Sequence, residues 1–446
     1  MICPLFALLA GAAQAWTPIQ VFDPPNSQLT IRNIAVVVDG SQDPDEEFFL
    51  SDGWSDQTDQ AALLYKWHGS SYSTRYTLIS DFPTTDDSFY LPSMTTEDGD
   101  DYLYVSARYL NTTPAPDQYN LRELVVDRYA PLTAPSPEEH FAIADDDDTK
   151  DVKHSVLLLD GDEDTLQSCF TRKITTANED SLGNHRDLTG IDTGWQATED
   201  TIATATDAGE SHCDVATLDS GGRAIVYEWV NEAGDVEIKV RFEATAGTED
   251  YTVTIASEAN HTYRWPTIVS RDVTGNRVHV AWTNTTDDTI EYRRCKPGTA
   301  AKCDEDTDWT AAIDVHHGTP GIPEYVHLAV DANDVVYAVW ANIIAGVNND
   351  RIRVSHLCPN MGASPAFAAT DGGLVDGSKQ DEHFAQNGGV AGGDGRAYRT
   401  ITINDQSEKV RVVYMRDDDM DVTDVDWEGM TSATDIVDFA TACPVP

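Results

Sequence analysis

The feature that most constrains this chain is an internal repeat with a spacing of about 55 residues. Each copy contains a short apolar strand, an Asp-led turn, a second strand that closes on Trp-x-Asn, and a third strand of alternating polarity. The clearest copies cover residues 215–242, 267–294 and 328–356, with turns at Asp219, Asp272 and Asp331 and triplets at Trp229/Asn231, Trp282/Asn284 and Trp340/Asn342. A period of this length with three or four strands per unit is typical of β-propellers. The sequence therefore predicts an all-β propeller.

Weaker copies of the same pattern extend the repeat in both directions. Seven units can be counted, and they begin near residues 31, 87, 139, 211, 263, 324 and 382. Because the first three units and the last match more loosely, seven blades are predicted and six also fit. One unit cannot bury its apolar faces alone, so residues 16–446 are expected to form a single closed ring. Either Thr17–Phe22 or Asp435–Ala442 would supply the strand that closes it.

The first fifteen residues have the character of a signal peptide. Met1–Ala15 contains the apolar core Leu5–Ala10, and Ala13-Gln14-Ala15 follows it. This order fits the small-x-small rule for signal cleavage. The mature protein is therefore expected to be secreted, either to the extracellular space or to the periplasm.

Cysteine usage points to the same compartment. Outside the signal segment there are six cysteines, and an even number suits an oxidising environment. Cys295 and Cys303 bracket a Pro-Gly segment directly after a strand, so they are predicted to form a disulfide bond. The sequence does not pair the other four, which are Cys169, Cys213, Cys358 and Cys443.

The charge of the chain excludes some partners. Lys and Arg number 29 against 77 Asp and Glu, which gives a formal net charge of −48. Such a field repels phosphate backbones and anionic lipid, so nucleic acid is not expected as a partner. No apolar run reaches the roughly 18–20 residues that a membrane-spanning helix requires. The acidity fits either solubility in high salt or acidic loops that hold Ca²⁺ outside the cell.

One segment has the spacing of a calcium loop. Asp424, Asp426, Glu428 and Asp435 reproduce the positions of oxygen ligands in a twelve-residue Ca²⁺ loop. The flanking residues favour strands rather than helices, and such spacing also arises by chance in an acidic chain. Calcium at this segment is the one cofactor that the sequence suggests.

The unit over residues 268–309 resembles the BNR-type repeats of secreted, bacterial sialidase-like propellers. The residues that carry the resemblance are the Val-x-Val-Ala-Trp strand, Arg294-Cys295, Cys303 and Trp309. The resemblance is specific over about 211–360, and it implies a propeller with a central site on one face. The Asp-box sequence Ser/Thr-x-Asp-x-Gly-x-x-Trp is absent, so no catalytic residues are carried over.

The candidate site residues follow from propeller geometry, which brings the loop before each innermost strand and the loop after the second strand to one face. Catalytic candidates on these loops are His261, Tyr263 and Arg264, where His or Tyr would transfer a proton and Arg would hold a carboxylate. Ligand-binding candidates are His140, His212, Tyr325, His383, Trp229, Trp282 and Trp340. The competing interpretation is that the repeated tryptophans and histidines pack between blades.

Two function classes fit these residues. The first is a secreted binding or structural propeller whose face meets a glycan or a protein. The second is an extracellular carbohydrate-active enzyme, which would be a glycoside hydrolase or a polysaccharide lyase. A hydrolase needs two carboxylates about 5–10 Å apart, and a lyase needs a Tyr/His pair beside an Arg. No catalytic signature is present, so the binding function is the prediction and the enzyme is the alternative.

Overall fold

The structure is a computed structural model. It describes residues 17–22, 29–39, 46–55, 59–67, 76–77, 89–96, 102–111, 118–127, 139–142, 151–159, 165–173, 179–188, 195, 200–204, 212–218, 222–244, 248–271, 277–295, 303–315, 321–331, 333–344, 350–358, 367, 373–374, 382–384, 400–404, 409–417 and 427–435.

The described residues form antiparallel sheets, and each sheet is numbered by the place of its innermost strand along the chain. Sheet 1 contains β2 (Leu29–Asp39), β3 (Glu46–Ser55), β4 (Asp59–Trp67) and β5 (Tyr76–Thr77). Sheet 2 contains β6 (Phe89–Thr96), β7 (Tyr102–Asn111), β8 (Gln118–Asp127) and β9 (Glu139–Ala142). Sheet 3 contains β10 (Asp151–Leu159), β11 (Thr165–Lys173), β12 (Glu179–Asp187) and β13 (Asp200–Thr204).

The remaining sheets follow the same order from the inner to the outer strand. Sheet 4 contains β14 (Cys213–Leu218), β15 (Gly222–Val230), β16 (Val236–Glu243) and β17 (Tyr251–Ala256). Sheet 5 contains β18 (Tyr263–Arg271), β19 (Arg277–Asn284), β20 (Thr289–Arg294) and β21 (Ile313–Asp314), with one turn of 3₁₀ helix at Asp306–Asp308. Sheet 6 contains β22 (Ile322–Val330), β23 (Val336–Ile343), β24 (Arg351–Leu357) and β25 (Gly373–Leu374).

Sheet 7 joins the two ends of the chain. It contains β26 (Glu382–His383), β27 (Ile401–Asn404), β28 (Lys409–Asp417), β29 (Trp427–Asp435) and, from the N-terminus, β1 (Thr17–Phe22). Strand β1 pairs antiparallel with β29, so the first of the two predicted closing segments occupies the outer edge. A buried ion pair between Arg411 of β28 and Glu47 of β3 links sheet 7 to sheet 1.

The sheets are arranged as a ring around their innermost strands. Each innermost strand contacts that of the next sheet, from β2 through β6, β10, β14, β18 and β22 to β27, and β27 contacts β2. The fold is therefore a β-propeller, as the repeat predicts. The described strands make up seven sheets.

Alternation of side chains explains how neighbouring sheets stack. In β19, Val278, Val280 and Trp282 belong to an apolar cluster with β16 of sheet 4. Ala281 of the same strand and Tyr292 of β20 belong to a different cluster, shared with sheet 6. Because successive residues of a strand point to opposite faces, sheet 5 is buried on both sides. The tryptophan of the Trp-x-Asn triplet is thus part of the packing between sheets.

One predicted unit start is wrong by one strand. The third unit is predicted to begin near residue 139, but residues 139–142 form β9, the outermost strand of sheet 2. The innermost strand of sheet 3 is β10, which begins at Asp151. The reason is pairing: β9 pairs with β8 of the preceding sheet, which the local sequence does not specify.

One disulfide bond closes a short loop, and another joins two neighbouring sheets. Cys295 and Cys303 are bonded, with their Cα atoms 5.7 Å apart, which confirms the predicted pair. Cys169 of β11 is bonded to Cys213 of β14, so this bridge joins sheet 3 to sheet 4. Cys358 is also disulfide-bonded. In the described residues, no helix has the length and apolar character needed to cross a membrane.

Candidate functional site

Loops of sheets 4 and 5 meet at one face of the ring, where the innermost strands begin. The Thr285 N–H donates to the Thr262 carbonyl at 2.9 Å, so the turn after β19 lies beside the segment that leads into β18. The Asn260 N–H donates to Asp235 Oδ1 at 3.1 Å, which adds the turn after β15. We call this end of the ring the start face.

Just inside the start face, most innermost strands carry a β-bulge. The register shifts between Arg264 and Thr267 in β18, and between Glu324 and His327 in β22. Strands β2, β6 and β10 shift at the corresponding point, whereas β14 pairs regularly with β15. Bulges redirect side chains and are common beside functional sites.

Two bulged residues have unusual backbone conformations. Trp265 has a φ of 57° and Tyr325 a φ of 53°, both in the left-handed region that bulky side chains seldom adopt. Holding a residue there costs on the order of 1–3 kcal/mol, so the surrounding structure must impose it. The two residues occupy the same position in adjacent sheets, and their ring centroids are 4.5 Å apart.

The two rings line a central cavity of about 110 Å³. The cavity is bounded by the innermost strands of sheets 1, 2, 4, 5, 6 and 7. Much of its wall is apolar, and its polar lining residues are Thr95, His212, Asp214, Thr267, His327 and Thr402. A concave, largely apolar site with a few convergent polar groups is the usual form of a small-molecule site.

A buried carboxylate holds the Trp265 bulge in place. Glu228 of β15 is fully buried, and it accepts the Trp265 N–H at 2.7 Å and Arg264 Nη1 at 3.1 Å. His212 Nδ1 lies 2.8 Å from the same carboxylate. Because a carboxylate only accepts hydrogen bonds, the His212 proton belongs on Nδ1. Glu228 thus fixes both the backbone of Trp265 and the orientation of His212.

Asp214 is a buried acid that lines the cavity, and its oxygens are engaged in joining two sheets. Oδ2 accepts the Thr267 hydroxyl at 3.0 Å and the Ile268 N–H at 2.9 Å, while Oδ1 accepts the Val215 N–H at 2.8 Å. This carboxylate therefore ties β14 to β18 beside the bulge.

Of the sequence-predicted ligand-binding residues, His212 and Tyr325 lie at the cavity. The three catalytic candidates do not line it. Tyr263 is buried against the edge of Trp282, and burial raises its pKa to about 12. Arg264 is paired with Glu228.

His261 lies on the start face, outside the cavity. Its Nε2 is 3.2 Å from Asp287 Oδ2. Desolvation lowers the pKa of His261, but the Ala259 carbonyl and the charges of Asp287 and Glu258 outweigh it and raise the pKa above its ordinary value. His261 is therefore a partner of acidic loop residues rather than of the cavity.

The other candidates lie elsewhere in the ring. Trp282 and Trp340 are fully buried, and Trp229 is covered by the Lys239 ammonium, 4.6 Å from the ring centroid. His140 lies in β9, the outermost strand of sheet 2, so its predicted place in the loop before an innermost strand is wrong. His383 ends β26, where it pairs with Met415.

The calcium spacing does not fold into a loop within the described part of the segment. Glu428 and Asp435 belong to the same extended strand, β29, which separates their Cα atoms by about 23 Å. Asp424 and Asp426 lie outside the described residues. Among the described residues, no group of three or more His, Cys, Asp or Glu side chains is placed to hold a metal ion.

Trp265 and His327 line the cavity, and the sequence places both near strand starts, but neither is among the predicted ligand-binding residues. The available signal for Trp265 is Pro266, because proline inside a strand marks an edge or a bulge. For His327, no local signal distinguishes it from the other histidines near a strand start. Both positions depend on the register between β18 or β22 and its neighbour, which is a long-range property.

No protein-family model and no curated protein matches the chain. The chain is similar to an α-L-arabinanase of Penicillium chrysogenum solved with arabinobiose, at 13% identity over 76% of this chain and 97% of that chain, with a TM-score of 0.45. It is similar to the NanB sialidase of Streptococcus pneumoniae at 10% identity over 94% and 70%, with a TM-score of 0.43.

A third similar structure is the fungal Aleuria aurantia lectin, described as a six-bladed β-propeller with a novel fucose recognition mode. Its identity is 10% over 80% of this chain and 98% of that chain, with a TM-score of 0.43. These likenesses concern the fold alone, and the function must be inferred from the cavity itself.

Proposed function

We propose that this protein is a glycan-binding propeller whose central cavity holds a neutral sugar residue against Trp265 and Tyr325. The observation that carries the proposal is the pair of half-buried aromatic rings, 4.5 Å apart, that two adjacent strands hold in strained bulges. The C–H face of a sugar ring is apolar and packs on such a surface, while its hydroxyl groups need polar partners at the edge.

The charge distribution favours a neutral sugar over a charged one. A net charge of −48 opposes the approach of an anionic glycan except at high salt. A cation would be attracted, but an aromatic cage requires rings that face each other across the cation. The rings of Trp265 and Tyr325 contact each other, with their centroids only 4.5 Å apart, which leaves no space for a cation between them.

The single carboxylate among the described lining residues favours sugar binding over glycoside hydrolysis. Glycoside hydrolysis requires two carboxylates about 5–10 Å apart. Among the described lining residues the only carboxylate is Asp214, and its oxygens accept bonds from Thr267, Ile268 and Val215. A carboxylate used in this way is not available as a nucleophile or a base. Binding is therefore the main proposal, and hydrolysis is the alternative.

We further propose that the protein acts outside the cytoplasm. The Cys169–Cys213 and Cys295–Cys303 bonds support this location, because disulfides persist in oxidising compartments. The predicted signal segment at Met1–Ala15 supports it independently and lies outside the described residues.

Titration with a panel of methyl glycosides tests the proposed function. The panel consists of the methyl glycosides of arabinose, xylose, galactose, glucose, mannose and fucose, followed by tryptophan fluorescence and calorimetry. A single sugar residue in such a site should bind with a Kd of roughly 1 mM. Trp265→Ala should abolish this binding, whereas Trp229→Ala should retain it because Trp229 lies outside the cavity.

Two results would overturn the proposal. The first is the absence of binding by every panel member, and the second is equal binding by wild type and Trp265→Ala. Incubation with the nitrophenyl glycosides of the same sugars tests the alternative. Release of nitrophenol that Trp265→Ala abolishes would favour the enzyme.

A further inference from the structure

His327 is a buried side chain at the cavity, close to the aromatic rings of Trp265 and Tyr325. It follows the β22 bulge, it is 9% exposed, and it lines the cavity together with Tyr325. Its ring packs edge-on against Phe384, with the ring centroids 5.3 Å apart. No described residue forms a hydrogen bond with its Nε2.

Two other buried histidines of the ring each have a hydrogen-bond partner at Nδ1. His212 Nδ1 lies 2.8 Å from the Glu228 carboxylate, and His279 Nδ1 lies 2.6 Å from the Tyr292 hydroxyl, so each ring is held through Nδ1, although no described residue forms a hydrogen bond with the Nε2 of His279 either. Buried polar groups in folded proteins are nearly always hydrogen-bonded, because an unpaired one loses its interaction with water and gains nothing. A buried imidazole without such a partner at a cavity wall indicates a group kept for a ligand.

The chemistry of the imidazole limits the ligand group. Burial lowers the pKa of His327 to about 3, so the ring is neutral at ordinary pH. A neutral imidazole has one N–H donor and one nitrogen acceptor, and a hydroxyl group can match either of them. A charged group would instead prefer a counter-ion, and in the described part of this wall the one charged side chain is Asp214, whose oxygens already accept three hydrogen bonds.

We infer that His327 hydrogen-bonds a hydroxyl group of the sugar that rests on Trp265 and Tyr325, and that it selects sugars by the position of that hydroxyl. This inference rests on the proposed function, since it assigns a specificity role within the same site. His327 supplies the polar edge that an apolar aromatic surface lacks.

The inference makes opposite predictions for affinity and for stability. His327→Phe should lower the affinity for the best-binding panel glycoside by about five- to tenfold, which is the usual effect of losing one neutral hydrogen bond. The same variant should keep or raise the melting temperature, because an unpaired buried polar group is replaced by an apolar ring. A purely structural histidine would show the reverse.

The test combines variants of the protein with deoxy forms of that glycoside. For wild type, removal of one particular hydroxyl should weaken binding by about five- to tenfold, and in His327→Phe the same removal should have no further effect. His327→Asn, which retains a donor and an acceptor, should recover part of the loss if the Phe variant folds poorly. His356→Phe is the matched control, because His356 is equally buried in sheet 6 but does not line the cavity.

The possible outcomes separate this inference from the proposed function. If Trp265→Ala abolishes binding while His327→Phe binds every deoxy glycoside as wild type does, the role of His327 is overturned and the binding site stands. If His327→Phe and His327→Asn both unfold, His327 is a structural residue and the inference fails. If no panel glycoside binds to wild type, both the proposed function and the inference are overturned.

Discussion

Trp265 and Trp282 lie opposite each other in sheet 5, yet they serve different purposes. Trp282 pairs regularly with Glu291 of β20, is fully buried, and donates its indole N–H to the Glu291 carboxylate at 3.2 Å. Trp265 is in the β18 bulge, is half-buried, has a positive φ, and faces the cavity. The repeated position is the packing residue, and the position where the strand breaks its regular pairing is the candidate site.

The same contrast holds in the next sheet. Trp340 of β23 pairs regularly with Arg353 of β24 and is fully buried, while Tyr325 occupies the bulge in β22 and lines the cavity. Two adjacent sheets thus divide their aromatic residues between a core position and a cavity position. A repeat that is easy to see in the sequence therefore identifies the core better than it identifies the site.

The largest expected effect compares the two tryptophans of sheet 5 directly. Trp282→Ala should lower the free energy of unfolding by about 3–5 kcal/mol, because it leaves a large cavity in the packed interface between sheets. Trp265→Ala should cost less than about 1 kcal/mol, since the ring is half-buried and the strained φ becomes easier for a smaller side chain. Chemical denaturation of both variants provides the measurement, and equal losses would remove the distinction between core and cavity.

One tripeptide shows why the sequence predicts the sheets better than their boundaries. Glu-His-Phe occurs at residues 139–141 and again at 382–384. The first copy pairs with β8 as an outermost strand, and the second pairs with β28 at the start of sheet 7. Local sequence specifies a strand in both cases, but its place in the ring depends on a partner far along the chain.

The candidate site was less predictable than the fold for the same reason. Alternating residues and the Trp-x-Asn triplets predict the strands of sheets 4 to 6, and Pro-Gly between Cys295 and Cys303 predicts one disulfide. The bulges at Trp265 and Tyr325 arise from the register between strands, and Pro266 is the one local signal noted for either of them. The Cys169–Cys213 bond likewise depends on contact between β11 and β14 of two different sheets.

The next prediction concerns what holds the bulge in its strained conformation. Glu228→Gln should cost about 2 kcal/mol of stability, because the amide replaces a buried carboxylate that faces Arg264, His212 and the Trp265 N–H. It should also weaken the binding of the panel glycosides, since the Trp265 N–H loses the carboxylate that accepts its hydrogen bond.

Glu237→Gln is the matched control for this variant. Glu237 lies in the same sheet, but its carboxylate is partly exposed and pairs with Lys239 at 3.4 Å. Exposed pairs contribute about 0–1 kcal/mol, so stability and affinity should change little. If Glu228→Gln and Glu237→Gln change stability and affinity by the same amounts, Glu228 does not position the bulge.

The pH dependence of stability separates the buried histidines from His261 on the start face. The pKa values of His279, His327 and His356 are lowered to about 3, about 3 and about 4, mainly by burial. In the unfolded chain they titrate near 6.5, so below that pH the unfolded state binds more protons and stability falls as the pH decreases. Each contributes up to about 1.4 kcal/mol per pH unit between roughly pH 6 and pH 4.

His327→Phe should therefore remove the contribution of one histidine from the slope of unfolding free energy against pH. His261→Phe should not reduce this slope. His261 lies on the start face with a raised pKa, so its contribution has the opposite sign and is lost as the pH rises. Denaturation curves between pH 4 and pH 7 for the two variants provide the measurement. An unchanged slope in His327→Phe would mean that this histidine is not buried in its neutral form.

The most direct measurement uses protein whose tryptophans are labelled with fluorine. The ¹⁹F signal of each tryptophan is recorded during titration with the methyl glycoside panel. The chain has 10 tryptophans, and single Trp→Phe variants assign the ¹⁹F signals of Trp265, Trp282 and Trp340. The proposed site predicts that a binding glycoside shifts the Trp265 signal and leaves the signals of Trp282 and Trp340 in place. A glycoside that binds and shifts the signals of the buried pair but not that of Trp265 would contradict it.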